Sequence, residues 1–106
     1  MLRAQSLVLE LIRALAPLCV ALRRCAPALA DQIERAATSV ALNLAEGSRR
    51  AGRDRRRVYR IAAGEAQEVR AALDVAAAWG HLGAAELAAA RALADQVGAV
   101  TYVLAR

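Results

Sequence analysis

A chain of 106 residues is below the roughly 150 typical of one domain, which excludes a second core and predicts a single domain over residues 1–106. More than a quarter of the residues are alanine, phenylalanine is absent and aromatics make up 3 %, a composition that favours helix and argues against strands, which favour β-branched and aromatic side chains. The formal charge of +5 is carried by fifteen basic residues, all of them arginine, and this balance points toward an anionic partner such as nucleic acid.

The first predicted helix runs from about Arg3 to Arg24, with Val8, Leu11, Leu15, Leu18 and Leu22 spaced three or four apart on one face. Pro17 removes one backbone donor and crowds the preceding turn, so a kink is expected there. The apolar run from Ser6 to Leu22 is interrupted by Glu10 and Arg13 and is shorter than the roughly 20 residues a membrane span needs. It also lacks the layout of a signal peptide. A cytoplasmic protein with no membrane partner is therefore expected. Cys19 and Cys25 lie on well-separated faces of the same stretch, so both are read as reduced core residues, not as a disulfide.

The second helix opens at Pro27 or Ala28, since proline is tolerated in a first helical turn, and is expected to end at Gly47 in a left-handed cap. Leu29, Ile33, Ala37, Val40 and Leu44 form its apolar face. About 120° around lie Gln32, Arg35, Ser39, Asn43 and Glu46. Hydrogen-bonding residues at five successive turns predict that this flank meets another helix.

After a polar link, the third helix is expected from about Arg53 to Trp79, with Val58, Ala62, Val69, Leu73 and Ala76 facing the core. Glu65 and Glu68 line a stripe beside that face, so a polar layer is expected in which either carboxylate could meet Arg35. Paired carboxylates also suit acid–base or metal chemistry, which would make Glu46, Glu65 and Glu68 candidate catalytic groups. No histidine or cysteine stands at ligand spacing, so no metal or other cofactor is expected. From Arg49 to Arg60 the chain carries seven arginines against one aspartate. Arg53, Arg56, Arg57 and Arg60 project away from the apolar face, and with Arg49 and Arg50 they form the candidate nucleic-acid contact, gripping phosphates and not reading bases. The same run also fits a solvated segment that keeps an apolar oligomer soluble.

Gly80-His81-Leu82-Gly83 breaks the pattern, and the last helix fills Ala84 to Ala105 with Leu87, Ala90, Ala94, Val97, Thr101 and Leu104 in near-heptad spacing. Gly64 and Gly98 fall inside helices, where close approach of a neighbour would offset their cost. His81 reads as a turn residue, and Trp79, Tyr59 and Tyr102 as packing at helix ends. Short connections make neighbouring helices antiparallel, so the fold class is an all-α, up-down-up-down four-helix bundle. An apolar content of 58 % exceeds what one small monomer covers, and a homo-oligomer follows. No catalytic motif is present, so a non-enzymatic protein is expected, with a protein–protein scaffold as the alternative to nucleic-acid binding.

The stretch from Leu29 to Arg50 also resembles the signature of four-helix-bundle proteins encoded in intervening sequences of bacterial large-subunit rRNA genes: Gln32, Arg35, Ala36, Ser39, Asn43, Ala45, Glu46 and Gly47 match it. Ala62, Gly64 and Glu68 take places in the next block, and Trp79-Gly80-His81-Leu82 resembles its turn. Ala41, Glu65 and His81 depart from the pattern. The resemblance implies a ring-like homopentamer and a relation to the accessory proteins of diversity-generating retroelements, which bind nucleic acid and a reverse transcriptase. It implies no enzymatic activity.

Overall fold

The computed structural model describes residues 2–106, and within them the chain forms four helices: α1 (Arg3–Leu22), α2 (Pro27–Gly47), α3 (Gly52–Trp79) and α4 (Ala84–Ala105). Each connection is four residues long, too short for anything but an antiparallel neighbour, so the helices alternate up and down. Each packs on the two beside it, α1 on α2 and α4, α3 on α2 and α4. The bundle measures 42 × 22 × 20 Å.

The helix ends follow from local chemistry. The Leu2 amide donates to Gln5 Oε1 at 2.7 Å at the start of α1. Pro27 stands in the first turn of α2. α3 stops at Gly80, whose φ of 75° lets the His81 amide donate back to the Ala76 carbonyl at 3.0 Å and the Gly80 amide to Ala77 at 3.0 Å, a paired closure of the last turn. The Gly83 amide donates to Glu86 Oε1 at 3.0 Å, which fixes the entry to α4.

The core is built from the faces that periodicity marks. Leu11, Leu22, Ile33, Val40, Leu44, Val69, Leu73, Leu87 and Val97 are fully or almost fully buried. Alanines fill the spaces between them, and Thr101 is buried with its hydroxyl donating to the Val97 carbonyl at 2.8 Å. Leu29 is only partly buried. α1 is continuous through Pro17. By length and composition alone α1 would also be able to cross a membrane; here its leucine face seals one side of the bundle.

Three expectations are corrected. Gly47 is no left-handed cap: it lies in the last turn of α2, followed by Ser48 at φ −64°. Glycine is needed there because a Cβ would fall inside van der Waals contact of the Tyr59 ring. Gly64 and Gly98 have open space where a Cβ would stand, with no neighbour approaching them among the described residues. Cys19 is buried but Cys25 is exposed in the α1–α2 connection, and both are free; α1 ends at Leu22, before the helix could carry Cys25 back toward the core.

Candidate nucleic-acid interface

With 28 residues, α3 outlasts its antiparallel partner α4 by six, about 9 Å of helix. That excess lies at its N-terminal end, where residues 52–57 are all exposed and Val58 is the first buried one. Helix termini are usually stabilised by packing an amphipathic face. This one instead carries Arg53, Arg55, Arg56 and Arg57 on a projecting turn and a half.

The junction with α2 is held by charge. Glu46 accepts from Arg49 at 2.8 Å and from Arg50 at 2.7 Å. Arg50 reaches on to Asp54 at 2.5 Å, and Arg55 Nε donates to the Gly47 carbonyl at 3.3 Å. Hydrogen bonds from Arg49 and Arg50 hold the Glu46 carboxyl below its ordinary value, and Arg50 does the same for Asp54. The acidic groups at this end are thereby engaged, and Arg57 makes only a long 3.4 Å contact with Asp54. Among the described residues Arg53, Arg56 and Arg60 are exposed and make no ion pair. Arg53, Arg57 and Arg60, together with Asp54, line an open hollow of about 440 Å³; the i, i+4, i+7 spacing of the three arginines sets them on one side of α3.

Charge is concentrated here. Seven arginines and one aspartate give +6 between Arg49 and Arg60, against +5 for the whole chain, so the other residues together carry −1. The rim also surrounds the N-terminus of α3, where the helix dipole adds positive potential.

The polar row on α2 is distributed among separate partners. Gln32 Nε2 donates to Glu68 Oε1 of α3 at 2.7 Å. Asn43 donates to the Ser39 hydroxyl at 3.1 Å and carbonyl at 2.9 Å within its own helix, and Glu46 serves the arginine junction. Arg35 is exposed and forms no ion pair with Glu65 or Glu68, although its charge acts on Glu65. Burial, then the hydrogen bond and like charge of Glu68, push the Glu65 carboxyl above its ordinary value. Glu68 thus meets Gln32 where Arg35 was the expected partner. No cluster of His, Cys, Asp and Glu among the described residues could hold a metal ion.

A second network joins α3 to α4: Arg70 bridges Asp74 at 2.6 Å and Asp95 at 2.7 Å, and Arg91 meets Asp74 at 2.7 Å. The Arg70/Asp74 spacing was readable in the sequence; the cross-helix partners were not. Hydrogen bonding from Arg91, foremost, lowers the Asp74 carboxyl.

No curated protein and no solved structure shows a significant match to the chain. A family model does match, over residues 3–102, and its description is 23S rRNA-intervening sequence protein. The match spans all four helices but for the last residues of α4. This chain belongs to the 23S rRNA-intervening sequence protein family.

Proposed function

We propose that this protein is a non-enzymatic, cytoplasmic homo-oligomer, a pentamer as its family likeness implies, that binds the backbone of RNA or DNA through Arg49, Arg50, Arg53, Arg56, Arg57 and Arg60. The observation that carries the reading is the concentration of charge: more than the net charge of the molecule stands between Arg49 and Arg60, at the junction and the projecting end of α3, and among the described residues Arg53, Arg56 and Arg60 make no ion pair. Guanidinium groups so placed release counterions from a phosphate backbone without needing a base-reading element.

Unpartnered apolar surface supports assembly. On α4, Ala85, Ala89 and Ala92 are exposed three or four residues apart, at the end away from Tyr102. On α3, Ile61, Val75 and Trp79 are exposed. A ring would multiply the arginine rims and raise affinity through avidity. Two free thiols fit a reducing compartment.

A gel-shift titration of the intact oligomer tests the reading. Replacing Arg53, Arg56, Arg57 and Arg60 with Ala should weaken binding at low salt by at least tenfold; equal affinity in the variant, or no shift by the parent protein, refutes it. The exposed apolar residues Leu42, Ile61, Val75 and Trp79 also favour a second reading, a scaffold for a protein such as a reverse transcriptase. Co-purification of that protein that survives nuclease treatment, without direct nucleic-acid binding, would favour the scaffold.

A further inference from the structure

Two aromatic side chains stand out in solvent, Trp79 at 74 % and Tyr102 at 64 % exposure. Trp79 closes α3 at the far end from the arginines and stacks on His81 with ring centroids 6.3 Å apart. Tyr102 is different. The antiparallel course of α4 returns it beside the first turns of α3, where it lines an open hollow of about 330 Å³ with Arg60, Ala63, Ala105 and Arg106. Arg60 is shared with the adjoining hollow that holds Arg53 and Arg57. The basic rim, whose hollow also holds Asp54, therefore continues through Arg60 onto an exposed ring flanked by two guanidinium groups.

On its other side Tyr102 edges a groove between α3 and α4 of about 430 Å³, whose lining includes Ala66, Ala94 and Gly98 with Gln67 and Asp95 beside them. Small side chains leave a planar group room to lie against the ring. An exposed tyrosine with arginines on one flank and a shallow groove on the other has the chemistry that holds an unpaired base: stacking for the base, charge for the phosphates on either side.

Resting on the proposed nucleic-acid binding, we propose that Tyr102 is a stacking site for one unpaired base of a single-stranded segment, with Arg60 and Arg106 on its flanking phosphates. A paired base inside a duplex has no free face to offer, so the site favours single strands. Binding of a fluorescein-labelled 12-nucleotide RNA of mixed sequence, and of the same strand annealed to its complement, is to be measured by anisotropy at low salt. Tyr102→Ala should weaken the single strand about five- to a hundred-fold, the range set by loss of one base–aromatic stack, and leave the duplex within about twofold. Tyr102→Phe should restore the single strand. If Tyr102→Ala leaves single-strand binding intact, or weakens both forms equally, the stacking site is wrong while the rim stands, provided that Arg53→Ala with Arg57→Ala weakens both forms. If the parent protein binds neither probe, the rim and the stacking site fall together. Circular dichroism on each variant verifies the fold.

Discussion

Gly47 and Gly64 are both helical glycines, yet replacing them should have opposite effects. At Gly47 an added methyl runs into the buried Tyr59 ring, so Gly47→Ala should destabilise by about 1–3 kcal/mol, as overpacking does. At Gly64 the space is open, and Gly64→Ala should stabilise by about 0.5–1 kcal/mol through the lost backbone entropy of the unfolded chain. Urea denaturation of the two variants measures both signs. Glu65 makes a third case. Its carboxyl is raised above the ordinary value, so its contribution to stability is full below that value and is lost as pH rises through the folded one. Glu65→Gln should therefore stabilise at pH 7 by a few tenths of a kcal/mol, the size of a like-charge pair on a helix, and give nothing near pH 3.5; thermal melts at the two pH values check it.

Among the elements, the α3–α4 pair carries the clearest pH response. Asp74 is lowered by Arg91 and Arg70, so its stabilisation is present above the ordinary carboxylate range and is lost as pH falls through the folded value. The pair is largely solvent-exposed, and Asp74→Asn should cost no more than about 1 kcal/mol at pH 7, with the difference from the parent closing in acid. Periodicity made the four helices and their core faces legible, because a 3.6-residue repeat fixes angle around one axis. It cannot say which neighbour occupies each flank. Hence Gln32 and Glu68 found each other while Glu46 turned to the arginine junction, and Gly47 answered to Tyr59, twelve residues on, against its local cap preference. The exposure of the arginines on α3 was readable from the same repeat; their overhang beyond the core was not, since it depends on the length of α4.

For the whole molecule, the fold leaves apolar residues outward on α3 and α4 and charge at one end, an arrangement suited to a closed ring with a basic rim. Light scattering should give five times the chain mass of 11.2 kDa, and a monomeric mass at micromolar concentration would contradict the assembly. The rim itself is tested most directly by the salt dependence of RNA binding. For a single strand the slope of log K against log salt is about −0.7 per phosphate neutralised, so replacing Arg53, Arg56, Arg57 and Arg60 with Ala should flatten it by about 3 for each strand segment one rim engages. An unchanged slope, or no binding at the lowest salt, would contradict the account.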